Sequence, residues 1–392
     1  MRRVHRLAAR FAAVGAAALA AAAAPLAPAL AQDKLPASIS ATAYETGSNG
    51  FNQIVAVGQM LKARLGVDLR VLPAGNDTAR MAPLKTGRVQ ISANGIGTYF
   101  AQEGVLDFAA RDWGPQPARL ILSSSSCNGQ AIAVAKDTGA RTMADLRGKR
   151  MGTVRGSPAI NQSMLALIAF AGLTAKDVTL VEFSSYGAMF KGFINNEADI
   201  AFASTISGQA KEAENSPRGV VWPEFPASDK AGWERVQKIA PYFYPHGSSC
   251  GAGYAAGQVL ELPVYPYPMF IAYTNQGEGA IYQLASAMIE HYGDYKDVVV
   301  GVDGLEAKRQ NLTWSMPYHA GSVRALKEAG VWTEAAERNN VMLVKRQETL
   351  GIAWQAFLKT SPPDDKEAFR AAWMKAREAA LTGAGMPLGY TE

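Results

Sequence analysis

Histidine is scarce in this chain: four in 392 residues, one of which, His5, lies in an N-terminal stretch that reads as a leader. His246, His291 and His319 are left as imidazole bases or ligands, and no H-E-x-x-H, G-x-S-x-G or S-x-x-K motif stands in a supporting context. A secreted enzyme is therefore a remote alternative, and no catalytic residue, cofactor or metal is expected. Cysteine is scarcer still, with Cys127 in "SSSSCNGQ" and Cys250 in "GSSCGAG", neither in a C-x-x-C spacing. In an oxidising compartment an isolated pair of this kind is expected to bridge, the alternative being two separate buried thiols. Beyond the N-terminus the sequence has no run of about eighteen apolar residues, so no later segment is expected to span a membrane.

What the N-terminus does hold is a basic start (Arg2, Arg3, Arg6, Arg10), an alanine-rich apolar run broken by Pro25 and Pro28, and Ala29-Leu30-Ala31. This order is that of a secretory signal peptide, residues 1–31, with the mature chain starting near Gln32. The Arg2-Arg3 pair hints at twin-arginine export. Removing the leader deletes four arginines and no acid, so the formal charge falls from +5 to +1, 35 Lys and Arg against 34 Asp and Glu. A nearly neutral chain argues against a nucleic-acid partner. The remaining length suggests two domains.

Two halves follow the same plan. "TAYETGSNGFNQ" (Thr42 to Gln53) is a Gly/Ser loop leading into a helix with Ile54, Val57, Leu61 and Leu65 at helical spacing and Gly66 as its stop. A strand "VDLRVL", a turn "PAGND", a helix to about Thr86 that contains Pro83, and a strand "VQISANG" come next. About 110 residues later the order returns as "GKRMGTV", the loop "RGSP", the helix "AINQSMLALIAFAG", the strand "VTLVEF", the helix "SSYGAMFKGFINN" and the strand "ADIAFAS". The offsets agree: 109 from Gly47 to Gly156, 111 from Val67 to Val178, 109 from Gly95 to Ser204. Two α/β lobes of similar topology are implied.

Open α/β sheets bind ligands beyond the carboxyl ends of their strands, near helix N-termini. The first half places Glu45, Thr46, Gly47, Ser48, Asn49, Gly50, Phe51 and Asn94 there; the second places Arg155, Gly156, Ser157, Tyr186, Ser204 and Thr205. Taken singly, such Ser, Thr and Asn residues serve as caps and turns; their recurrence in both halves points to a ligand held between the lobes. Arg155 is expected to grip a carboxylate with help from a helix N-terminus, unless it pairs with Glu45 and latches the lobes. The run Ala131 to Ala135 reads as a strand and "TMAD" as a capping box at the crossing to the second lobe, and "LELPVYPYPMFIAYT" (Leu260 to Thr274) as an edge or hinge strand on the way back. From about Gly277 the chain reads as helices.

The loop after the first strand, "LKTGRVQISANG", "TMADLRGKRMGTVRGSP", "GLTAKDVTLVEFSSYGAMFKGFINNEADIAFAS", "PYFYPHGSS" and "MPYHAGSVRALKEAG" together resemble the solute-binding subunits of tripartite ATP-independent periplasmic (TRAP) transporters, TAXI type. The resemblance implies a type II periplasmic binding protein, monomeric, with lobe 1 formed by residues 32–133 and 263–392 and lobe 2 by 134–262. It further implies a periplasmic receptor that passes a small organic acid, amino-acid-like or dicarboxylate, to an ion-driven permease. The family's opening loop is usually almost all Gly and Thr, whereas this one carries Glu45 and Asn49. A substrate-binding protein of the ABC type, for another small solute, is the nearer alternative.

Overall fold

The computed structural model describes residues 34–391; the leader and its cleavage site lie outside them. In chain order the strands are β1 Ser38–Ala43, β2 Asp68–Pro73, β3 Ile91–Asn94, β4 Ala118–Ser123, β5 Gln130–Ala135, β6 Arg150–Val154, β7 Thr179–Phe183, β8 Ile200–Ser204, β9 Val220–Val221, β10 Tyr244–Ser248, β11 Leu260–Val264 and β12 Met269–Tyr273. The helices are α1 Asn49–Leu65, α2 Asp77–Lys85, α3 Gly97–Glu103, α4 Pro158–Ile168, α5 Tyr186–Ile194, α6 Gly208–Asn215, α7 Lys230–Ile239, α8 Glu278–Glu290, α9 Tyr292–Tyr295, α10 Ala320–Glu328, α11 Glu334–Leu358 and α12 Lys366–Gly383.

The strands build two five-stranded sheets of matching plan, ordered β2-β1-β3-β12-β4 and β7-β6-β8-β5-β9, plus the hairpin β10-β11. In the first, β1 runs parallel to β2 and β3 while β12 runs antiparallel to β3 and β4. In the second, β6 runs parallel to β7 and β8 while β5 is antiparallel to β8 and β9. Each sheet thus receives one antiparallel strand from the chain as it arrives from the other sheet. The chain crosses between Ser123 and Gln130 and returns between Val264 and Met269. β5 lies wholly in the second sheet, so the first crossing precedes the expected boundary at 133 by several residues.

Local chemistry explains most elements. Ser48 caps α1 by accepting from the Phe51 N–H, and Gly66 closes it in the left-handed region at φ 69°. α2 keeps Pro83 inside, which removes one helical donor but leaves the helix intact over nine residues. The "TMAD" box forms a short 3-10 turn, with the Asp145 carboxylate accepting from the Thr142 N–H. The expected edge or hinge strand splits in two. β11 pairs with β10, the segment with Pro266 and Pro268 makes the crossing through a cis Tyr267–Pro268 bond, and β12 sits in the interior of the first sheet. The proline-free run Met269–Tyr273, buried throughout, can donate along both edges.

The C-terminal helices pack on the first sheet and on each other. His319 caps α10, its Nδ1 accepting from the Gly321 N–H, and burial lowers its pKa to about 4. A second small core joins α11 and α12, where Trp354 meets Trp373 edge-to-face at 4.8 Å with Phe357 and Phe369 beside them. Among the described residues no helix is long and apolar enough to cross a membrane.

Cys127, on the first crossing, and Cys250, in the loop between β10 and β11, are joined by a disulfide across a sequence separation of 123. Thr205 buttresses this junction, its hydroxyl accepting from the Gly129 N–H and donating to the Cys250 carbonyl. Alkylation of the unfolded, unreduced protein is expected to label no thiol; two labelled cysteines in exported protein would contradict the bridge.

Candidate functional site

Where the two sheets face each other they leave a small, partly open cavity of about 20 Å³, room for about one water. Tyr44, Ser48 and Asn49 line it from the loop after β1. Gln130, Phe202, Ala203, Ser204 and Ser207 line it from β5, β8 and the start of α6, with Ile160 and Tyr186 from α4 and α5 and Tyr265 and Tyr267 from the return crossing. The wall is thus made by strand ends and helix starts of both sheets, as open α/β sheets favour.

Around this cavity the two lobes are joined by hydrogen bonds. The Gly47 carbonyl accepts from Gly208 N–H at 2.9 Å and that of Gly75 from Tyr186 N–H at 3.0 Å. Thr78 N–H donates to the Gly156 carbonyl at 3.1 Å, and Gln209 Nε2 to that of Thr46 at 3.2 Å. Gly47 takes φ 86°, a conformation that puts its carbonyl on α6 and that a side chain would strain.

Two carboxylates of the first lobe reach helix N-termini of the second. Asp77, fully buried, accepts from Ala159 N–H at 2.8 Å and from the Ser157 hydroxyl at 3.2 Å at the head of α4. Its other oxygen accepts from Arg80 and from the Tyr44 hydroxyl. Glu45 accepts from Gly187 N–H at the head of α5, and any side chain at Gly187 would collide with it. A helix N-terminus carries partial positive charge, so each carboxylate gains both a hydrogen bond and a favourable dipole. Arg80 is buried too, its guanidinium over the Tyr44 ring at 3.3 Å and its Nε donating to Asn94 at 2.6 Å.

The expected site residues divide accordingly. Ser48, Asn49, Tyr186 and Ser204 line the cavity. Gly50 turns its N–H to the Tyr267 hydroxyl, and Phe51 is a half-buried residue of α1. Glu45 and Thr46 border an open groove at the lobe margin, with Lys191 and Glu212 opposite. Asn94, Gly156, Ser157 and Thr205 are structural partners of Arg80, Thr78, Asp77 and the disulfide junction.

Arg155 is the clearest correction. Its side chain is 76% exposed and ion-pairs with Glu182, which the β6–β7 register sets beside Thr153. It neither lines the cavity nor meets Glu45. The head of α4, the helix that follows the Arg155 loop, is filled by Asp77. Glu45 joins the lobes, but through a backbone N–H rather than through Arg155.

Several lining residues escaped the sequence reading. Tyr44 and Ser207 follow strands β1 and β8, so strand-end logic applied one loop further would have reached them. Tyr265 and Tyr267 alternate with prolines in "PVYPYP", a signal read only as a hinge. Gln130 opens β5 on the crossing. Burial raises the pKa of the Tyr186 phenol and pushes that of Tyr267 up to about 12, so both stay protonated at neutral pH.

Residues 39–221 match the family described as ABC transporter, phosphonate, periplasmic substrate-binding protein. No curated protein matches the chain significantly. Among solved structures, the alkanesulfonate-binding protein SsuA from Xanthomonas axonopodis pv. citri bound to MOPS is 16% identical, covering 82% of this chain and 93% of its own, at a TM-score of 0.40. PhnD1 from Prochlorococcus marinus (MIT 9301) in complex with methylphosphonate is 13% identical over 65% of this chain and 84% of its own, TM-score 0.40. The GluR0 ligand-binding core from Nostoc punctiforme in complex with L-glutamate is 13% identical over 66% and 96%, TM-score 0.39. Two α/β lobes of matching strand order, two crossings between them and a cavity where they meet give this chain the type II periplasmic binding protein fold.

Proposed function

We propose that this protein is a periplasmic receptor that closes its two lobes on a small solute and presents the closed form to a membrane permease. The observation that carries this reading is the cavity whose wall is drawn from both lobes: a ligand touching both favours the closed state by its differential affinity. The lobes divide at the two crossings, where few residues need to bend. The match over residues 39–221 favours an ABC-type permease that consumes ATP. The resemblance to TAXI subunits in "GSNGFNQ" and "MPYHAGSVRALKEAG" favours an ion-driven TRAP permease as a second reading.

Protein purified from its host is expected to release a small molecule on unfolding, identifiable by mass spectrometry. Adding it back at about 100 times its Kd should stabilise the native state by about 2.7 kcal/mol. Absence of any released or rebinding small molecule would sink the receptor reading. Solute uptake by energised membrane vesicles separates the permeases: vanadate arrests an ABC carrier, whereas collapse of the ion gradient arrests a TRAP carrier.

A further inference from the structure

Apart from the junction cavity, a pocket of about 340 Å³ opens where the end of α3, the middle of α11 and the chain after α12 meet Pro241, which follows α7. Roughly 150 Å³ is enough for a benzene ring, so this pocket has room for a ring and a short substituent. Its apolar wall is formed by Pro241, Met342, Leu343, Met386 and Pro387. Methionine thioethers adapt their shape to a guest and make favourable contacts with aromatic rings.

Among the described residues, the charged groups on this wall are Glu103 and Arg346, and both are engaged. Glu103 accepts from Arg346 and Arg377, and Arg346 also donates to the Pro387 and Leu388 carbonyls. An anionic guest would therefore find no free cation here, and an ammonium no free carboxylate, so either would lose its hydration uncompensated. One donor is left over. Trp314 is 8% exposed, and its indole N–H has no hydrogen-bond partner. The indole is held in place, stacked on Tyr265 at 6.4 Å and 9°, with the Asn339 amide donating to the Trp314 carbonyl. A buried N–H without an acceptor is destabilising, and a guest that carries an acceptor relieves it.

We propose that this pocket is a small-molecule site separate from the lobe junction, for an uncharged aromatic molecule with one hydrogen-bond acceptor. The ring lies between Met342, Leu343 and Met386, and the acceptor takes the Trp314 indole N–H. The site does not depend on where the solute of the junction binds.

Titration of the full mature chain, labelled with 13C at its methionine methyls, with acetophenone tests this. The signals of Met342 and Met386, each identified by its loss on substitution with leucine, are expected to move together with a Kd below about 5 mM. Benzoate and benzylamine, similar rings carrying a charge of either sign, should bind at least about 10-fold more weakly. Trp314→Phe keeps a ring and removes the N–H, and should weaken acetophenone at least about 3-fold. Met342→Trp, at the exposed mouth, should fill the pocket and leave the Met386 signal in place on titration. Methyl signals that stay in place up to about 20 mM acetophenone overturn the site, as does a Met386 signal that moves in Met342→Trp as in wild type. A charged ring that binds less than about 10-fold more weakly overturns the preference for an uncharged guest, and a loss under about 3-fold in Trp314→Phe overturns the role of the indole. Melting temperatures of the variants are measured first. Met342→Trp changes a surface side chain, so it decides the site even where Trp314→Phe is too unstable to titrate.

Discussion

Asp77→Ala is expected to destabilise the native protein by about 3–5 kcal/mol, the cost of leaving the Arg80 guanidinium fully buried without its carboxylate. Total stabilities of folded domains are about 5–15 kcal/mol, so this one change removes a large share. The same carboxylate holds the head of α4 across the lobe junction, so the variant should also favour an opened form with a larger radius in small-angle scattering. Single deletions at its other partners, Tyr44→Phe and Ser157→Ala, should cost about 0.5–1.5 kcal/mol each, since they remove one neutral donor and strand no ion. Urea denaturation of the three variants checks the ranking. If Asp77→Ala loses under about 1 kcal/mol, Asp77 is not the keystone of this junction.

Glu103→Gln should cost a similar 3–5 kcal/mol, with the damage concentrated in the C-terminal helices. Glu103, at the end of α3, is completely buried and accepts from Arg346 of α11 at 2.7 and 2.6 Å and from Arg377 of α12. Burial alone would raise its pKa, but the hydrogen bond and charge of Arg346 and the charge of Arg377 outweigh it and hold the carboxyl below its ordinary value. A carboxyl held low in the native state stabilises it above the unfolded pKa of about 4.3, and that contribution is lost as pH falls through the native value. His319 adds a window at higher pH. Its pKa of about 4 lies below the unfolded value of about 6.5, so the neutral native form loses stability as pH falls between them. Wild type should therefore weaken from about pH 6.5 downward, and Glu103→Gln should flatten only the part below about 4.3. Denaturation midpoints across this range, with limited proteolysis of α11 and α12, measure both effects. A Glu103→Gln protein that keeps the wild-type acid profile would contradict the assignment.

How far the sequence could be read depended on the range of the interaction involved. Helices such as α1 and α5 follow from apolar spacing and a serine cap, and the repeated half-lobe follows from the recurrence of those local signals. Ser48, Asn49 and Ser204 were legible because a strand end followed by a capping residue is itself a local pattern. Asp77 stood in "PAGND", where a turn explains an aspartate fully; its role arises only when a helix 82 residues further along the chain is brought to it. Arg155 misled for the converse reason. A lone arginine in a glycine-serine loop looks free until the β6–β7 register brings Glu182 within reach. Tyr265 and Tyr267 reach the cavity from the return crossing, more than 200 residues beyond Tyr44, and periodicity carries no information over that span. The interior position of β12 was obscured by the prolines before it, which belong to the connection and not to the strand.

On the receptor reading proposed above, the bonds across the lobe junction also set the tempo of exchange. Gly47, Gly75, Asp77 and Glu45 are all bonded across the junction, so on that reading a solute that has to spread the lobes must part those bonds together. Association is then gated. At low concentration the observed rate rises with solute, but it levels off at the frequency with which the lobes separate. Residence time is governed by the same event. Because the protein's own carboxylates already satisfy two helix heads, the junction can shut over an empty cavity, and the fraction of molecules standing open multiplies the intrinsic affinity of the site.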